Sequence, residues 1–391
     1  MALSWAVVQL WATVAAPILS DLTGRPSMAG FGPAIALTFW AVATLLVGRY
    51  MDARGRAAGL RLGFIAGAVG CLLLFFAIGG RSLPLYLLGL AVVGGGGGAV
   101  NLARAGAGDM YPPERRARGI SFVLIGAAFG AILGPVAFTP LLARTGADLD
   151  VLAPPFLAAG AIMLAGGALT FVIRVDPMEV ARRIREQIGS GAPATAAPAR
   201  PIREVLRVPL VRAAVVAALI SQAVMTGIMS TVALHLRDHG HGWPEVAVTM
   251  SAHFLGMFAL VLVVGRLVDR IGRERAIIIG FLILSAGAVA LLAEAEIRWI
   301  APAMLAVGLG WSVGFVAATA MMADATAPAE RAGLLGFADF VAVGSSVVAS
   351  LLAGVVIGVF GMGALAIVGT AVAMIPVVIF AAGRHRVQAP A

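Results

Sequence analysis

The sequence predicts an all-α polytopic membrane protein, twelve transmembrane helices in two six-helix halves, and three observations carry that prediction. Sixty-one per cent of its 391 residues are hydrophobic and 12% are charged, with a mean hydropathy of +1.00; soluble domains are roughly half apolar and a quarter charged. Apolar stretches of about 20 residues, enough to cross roughly 30 Å of hydrocarbon as helix, recur along nearly the whole chain. A single long hydrophilic interval, 175–209, divides these stretches six and six. Backbone groups in lipid must be satisfied within the segment or in a closed barrel, and the alternating polarity of a barrel is absent.

The first span, 2–20, has no charge before Asp21. It lacks the basic flank of a signal peptide, so it reads as a helix that is kept, with room for a natural start upstream of Met1. Spans follow at 28–48, 58–80, 84–107, 119–142 and 152–174, completing an N-terminal bundle over 1–174. The third holds the single cysteine, Cys71, so a disulfide framework is excluded and packing is its expected role. In the linker, 175–209, Met178 to Ile188 predicts a short amphipathic helix exposing Arg182, Arg183 and Arg185, and Gly189 to Pro201 a flexible stretch rich in Gly, Ala and Pro. The C-terminal bundle, 210–383, contains spans at 210–236, 244–266, 275–293, 299–323, 333–359 and 362–382, before a tail at 384–391.

The net charge of +9 comes from 28 arginines with no lysine, and their placement points to a membrane, not to nucleic acid. Arg54, Arg56 and Arg61, then Arg115, Arg116 and Arg118, the Arg174 to Arg212 group, Arg266, Arg270, Arg273 and Arg275, and Arg331, Arg384 and Arg386 fill alternate loops. The positive-inside rule puts those loops and the C-terminus in the cytoplasm, as expected of a bacterial inner-membrane protein.

The two halves share landmarks. Gly48, Asp52, Gly55 and Arg56 follow the second span, and Gly265, Asp269, Arg270, Gly272 and Arg273 follow the eighth, about 217 residues later. Asp109 with Pro112, Pro113, Glu114 and Arg115 closes the fourth span, and Asp324 with Pro328, Glu330 and Arg331 closes the tenth. These residues resemble the G-x-L-a-D-R-x-G-R signature of the major facilitator superfamily, with Ala53 and Tyr50 departing from it in the first copy. The resemblance implies the major facilitator fold, two pseudo-symmetric bundles rocking about a central site, and a cytoplasmic gate in which Asp52 lies near Asp109 and Asp269 near Asp324. Orientation alone needs arginine but neither Asp nor Gly at fixed spacing.

Gly126, Gly130, Gly134 and Pro135 in the fifth span resemble the superfamily's antiporter motif, and tight helix packing explains the stripe equally well. The run Gly94 to Gly98 has neither the preceding strand nor the following lysine of a phosphate loop, so ATP-driven transport has no support.

Polar groups within the spans are few: Gln9, Asn101, Arg104, Gln222, His253 and Asp339. A sugar, nucleoside or peptide would need many more partners. Instead the seventh span carries Met225 and Met229, and the eighth Met250, His253 and Met257, at spacings of three and four that share a helix face. Counted from the outer ends, at roughly 1.5 Å per residue, Met225, Met229, His253 and Met257 fall within about 9 Å of depth. Thioether and imidazole suit soft Cu(I); methionine is also an ordinary gap-filler.

The pairs M-x-x-x-M and H-x-x-x-M, with Gly308-Leu-Gly-Trp311 and Gly336-Phe-Ala-Asp339-Phe340, look like the CcoA-like branch of the superfamily, which includes bacterial copper importers and riboflavin transporters. What this implies is a copper-uptake transporter with Met225, Met229, His253 and Met257 as ligands; Met250, Gln222, Asn101 and Asp339 are additional candidates. Asp339 is a candidate for a coupling proton or for pairing with a cytoplasmic arginine. The alternative is a proton-coupled carrier of a lipophilic or aromatic organic solute, by drug efflux or riboflavin-like uptake. A third reading, a membrane partner or sensor, would ordinarily bring a large extramembrane domain. The expectations are completed by no covalent catalysis, no permanently bound cofactor, copper as substrate, no nucleic acid, and function as a monomer in the bilayer.

Overall fold

The computed structural model describes residues 1–111, parts of 123–141, and residues 152–188, 200–292 and 296–382. Among them the regular elements are helices, with short 3-10 turns at Pro26–Met28 and Thr170–Val172. In chain order they are α1 (Ala2–Thr23), α2 (Phe31–Arg54), α3 (Arg56–Gly79), α4 (Leu83–Asn101), α5 (Ala103–Asp109), α6 (Ala153–Leu169) and α7 (Pro177–Ile188). Then follow α8 (Ile202–Val205), α9 (Pro209–Asp238), α10 (Trp243–Phe258), α11 (Val261–Ile271), α12 (Arg273–Ala290), α13 (Ile297–Asp324) and α14 (Pro328–Ala382). The last is interrupted at Gly361, where φ is 77° and ψ 177°, so it holds two spans.

Among the described residues eight helices are long and apolar enough to cross a membrane, and the bent pair α10 and α11 makes up to nine. Each expected span except the fifth has a described helix at its place; 119–142 lies partly outside the described residues, and 189–199 and the 384–391 tail lie wholly outside them. The eighth span departs from the continuous helix expected over 244–266: it breaks after Phe258 and bends by 49°.

The chain packs as two compact units, Met1–Ala194 with Ser230–Ser251 and Ser350–Val359, and Thr195–Met229 with Ala252–Ala349 and Phe360–Ala391. In the first, α1 is apolar all round and buried along almost its whole length, as a helix at the centre of a bundle must be, whereas α2 leaves Phe39, Leu45 and Leu46 exposed as a lipid-facing helix does. The glycine run of α4 works as a packing face. Gly94 and Gly98 lie against the carbonyls of Ala36 and Trp40 on α2, and a Cβ at Gly96 would sit 2.5 Å from Gly67 N on α3. Small residues are the usual means of bringing helix backbones together in lipid, where apolar burial supplies no drive between helices.

The same unit holds a second close contact. The start of α2 meets α14 where a Cβ on Gly354 would lie 2.5 Å from Gly30 N, Gly358 faces Ser27, and Ser350 Oγ donates to Gly30 O at 2.9 Å. In the second unit α12 packs on α13 through Gly280, Gly310 and Gly314. Gly55 and Gly272 carry the repeat into the backbone. Separated by the same interval as Asp52 and Asp269, they have φ and ψ of 99° and 155°, and 85° and 153°, a left-handed region that glycine alone enters without strain.

Candidate functional site

His253 on α10 is fully buried. Its Nδ1 lies 3.1 Å from Met304 O on α13, so that nitrogen carries the hydrogen and donates, and Nε2 is left with its lone pair. Nε2 is buried without a hydrogen-bond partner among the described residues. Gly308 makes this geometry reachable: it brings the α13 backbone against His253 O and Met257 N. Met225 and Met257 are buried, Met229 is partly exposed, and Met250 is fully buried one turn before His253. No group of three His, Cys, Asp or Glu that could hold a metal occurs among the described residues.

A second arrangement surrounds Gln222 on α9. Trp311 Nε1 on α13 donates to Gln222 Oε1 at 2.8 Å, and Ser221 Oγ donates to Trp311 O at 3.4 Å. The indole stacks on Phe315 at 5.3 Å and 13°, and Phe258 meets it edge-on at 6.1 Å and 74°. Deeper in the same unit Thr226 Oγ1 donates to Ser346 Oγ at 3.1 Å. The sequence placed Gln222 among the candidates but not Trp311 as its partner; the signal was an aromatic pair at i and i+4, Trp311 and Phe315, in a span with few large side chains.

The other candidates are dispersed. Asn101 is the last residue of α4, Arg104 is partly exposed on α5, and Asp339 is exposed on α14.

Of the gate residues, Arg273 joins Asp269 at 2.7 Å and Asp324 at 3.0 Å, bringing the end of α11 and the end of α13 to one guanidinium. In the first half Arg56 pairs with Asp52 at 3.0 Å. Asp109 ends α5, and Arg270 is exposed. Gly265 has open space around its Cα, and Gly48 has only Leu102 near it, at 3.9 Å from an added Cβ.

A carboxylate that sequence reasoning missed, Asp176, accepts from Arg56 N at 3.0 Å, Ala57 N at 2.9 Å and Met178 N at 2.9 Å. One side chain therefore caps the starts of α3 and α7 together, satisfying backbone donors that those helices leave open. Gly55 makes room for it, since a Cβ there would lie 2.6 Å from Asp176 Oδ2.

The glycine stripe of the fifth span lies along α1. Gly130 rests on Ala2 O and Trp5 Cβ, each 2.6 Å from an added Cβ, and Gly134 on the Gln9 carboxamide, while Pro135 lies outside the described residues. Helix packing accounts for all three described glycines.

The chain resembles known transporters throughout its length. The uncharacterized MFS-type transporter YdeG of Bacillus subtilis is 32% identical over 382 residues, 95% of this chain and 87% of that protein. The riboflavin transporter RfnT of Brucella anthropi is 29% identical over 314 residues, 80% of this chain and 76% of its own. The solved structure of a D-xylose-proton symporter matches at a TM-score of 0.71 and 16% identity, covering 96% of this chain and 95% of that one, a likeness of fold. The Major Facilitator Superfamily profile covers residues 1–251 and 216–390, and with the duplicated Asp and Arg landmarks and the all-helical membrane fold this establishes that the chain is a transporter belonging to that superfamily.

Proposed function

We propose that this protein carries a planar aromatic organic solute, in the manner of riboflavin uptake, across the bacterial cytoplasmic membrane by alternating exposure of its binding site, working as a monomer with its C-terminus inside. The observation that carries the reading is the indole of Trp311, held in one orientation by Gln222 and backed by Phe315. A fixed aromatic face offers a flat solute stacking worth about 0.5–1.5 kcal/mol per ring pair. The similarity to a riboflavin transporter over most of the chain favours the same class of solute. The test is uptake of radiolabelled riboflavin by auxotrophic cells expressing the protein. Trp311→Leu at matched membrane levels is expected to raise KM about tenfold; no uptake by the parent, and no competition by other planar heteroaromatics, would remove the reading.

Copper uptake is the second reading, within the CcoA-like branch, and His253 favours it. A buried imidazole whose tautomer leaves Nε2 as a lone pair has the form of a metal ligand, and buried Met225 and Met257 offer soft donors suited to Cu(I). Uptake of radioactive copper lost in both Met225→Leu/Met229→Leu and His253→Leu, with riboflavin uptake absent from the parent, would select copper.

A further inference from the structure

Gln9 is 4% exposed in the buried helix α1. Its Nε2 donates to Ser251 Oγ at 3.2 Å. Ser251 gives its one proton to Ala247 O, so its oxygen has only lone pairs left and the carboxamide must turn its NH2 toward it. That fixes the amide orientation. The other end, Oε1, is buried with no hydrogen-bond partner among the described residues. Thr13, one turn along, spends its hydroxyl proton on Gln9 O at 2.7 Å and leaves the side chain alone. An acceptor without a donor is expensive to keep away from water, and a leucine would fill this volume without that cost.

One turn before Gln9 on α1, Trp5 meets Trp40 of α2 at 6.3 Å and 65°, and both rings are partly exposed. Residues four apart share a helix face. Aromatic surface and a free carbonyl oxygen thus adjoin within one compact unit.

We infer that Gln9 is a specificity-determining residue for transport, its Oε1 accepting a hydrogen bond from a ring N–H of a planar heteroaromatic solute that packs beside Trp5. The inference rests on the aromatic-solute reading and adds a requirement to it: the solute carries an imide- or lactam-type N–H. Gly134 contributes by absence, since a Cβ there would lie 2.7 Å from Oε1.

The test measures direct binding to the purified protein in lipid nanodiscs with pairs of probes that differ by methylation of one imide N–H: riboflavin and its imide-methylated analogue, lumichrome and its imide-methylated analogue, theobromine and caffeine. The wild type is expected to bind the N–H member of at least one pair about tenfold more tightly, and Gln9→Leu or Gln9→Met to close the gap by weakening that member alone. Equal binding of both members of every bound pair, or a gap that survives in the variants, overturns the role of Gln9 and leaves the aromatic-solute reading standing. Binding of no probe overturns both. Equal binding in the wild type overturns the role of Gln9 without recourse to a variant, and Gln9→Met keeps the comparison open where Gln9→Leu fails to fold.

Discussion

Arg200 grips Glu330 through both carboxylate oxygens, Nε to Oε1 at 2.6 Å and Nη2 to Oε2 at 3.0 Å, tying the chain just past the 189–199 segment to the turn between α13 and α14. The Glu330 side chain is only 5% exposed and also accepts from the backbone of Arg200 and Ala327. The Arg200 hydrogen bonds hold its carboxyl down at about 2, against about 4.3 for a free glutamate. Because the folded value lies below the unfolded one, the contribution of the pair is complete above about 4.3 and disappears as pH falls toward about 2. Melting of detergent-solubilised protein is expected to show wild type above Glu330→Gln at neutral pH, the two curves converging across that window. Parallel curves would mean that the pair adds nothing.

Arg273 has a different position, exposed on the side of the acids it bridges. Exposed ion pairs contribute about 0–1 kcal/mol, so Arg273→Gln is expected to shift unfolding by less than about 1 kcal/mol. If the bridge is a gate, uptake should nonetheless fall about tenfold, because the two helix ends it joins would lose their common anchor. Measured together, unchanged melting with unchanged uptake would reduce the bridge to surface charge.

The spans and the duplicated landmarks were legible because they repeat at one interval and because lipid admits few alternatives to helix. The break after Phe258 was not: no proline stands there, and hydrophobicity continues through it. Asp176 was hidden for another reason. Two of its three partners lie about 120 residues earlier, and nothing in the run Val175-Asp176-Pro177 distinguishes a double cap from an ordinary linker aspartate. Gln222 was visible as a polar group in lipid, but its partner 89 residues away was not, since pairing of that kind depends on how α9 and α13 face one another. The Met and His spacing was legible as a pattern, and the fold adds the tautomer of His253.

Gln222 also supplies a prediction about stability. With Gln222→Leu the Trp311 N–H loses its acceptor, and since the pair is only partly buried the loss is that of an ordinary hydrogen bond, about 1 kcal/mol. Trp311→Phe removes the donor, so the double variant Gln222→Leu/Trp311→Phe is expected to recover most of that loss. Chemical unfolding of the four proteins forms a cycle with a coupling of at least about 1 kcal/mol; additivity would show that the indole N–H finds another acceptor.

Gly354 gives the sharpest steric prediction. Backbone faces backbone where α14 meets the start of α2, and an added Cβ would come within 2.5 Å of Gly30 N and 2.8 Å of Gly30 Cα, neither of which can rotate away as a side chain could. The helices must separate for Gly354→Ala to be accommodated, and further for Gly354→Leu. Separation also stretches the 2.9 Å bond from Ser350 Oγ to Gly30 O, one turn earlier on the same face. Overpacking of this kind costs about 1–3 kcal/mol, so both variants are expected to melt lower, leucine more than alanine. Gly363, in contrast, has only the tip of Leu292 near it, at 3.8 Å from an added Cβ. Gly363→Ala is therefore the control, expected to change melting by less than about 0.5 kcal/mol. Equal effects at the two sites would show that the contact at Gly30 is not what makes glycine necessary at 354.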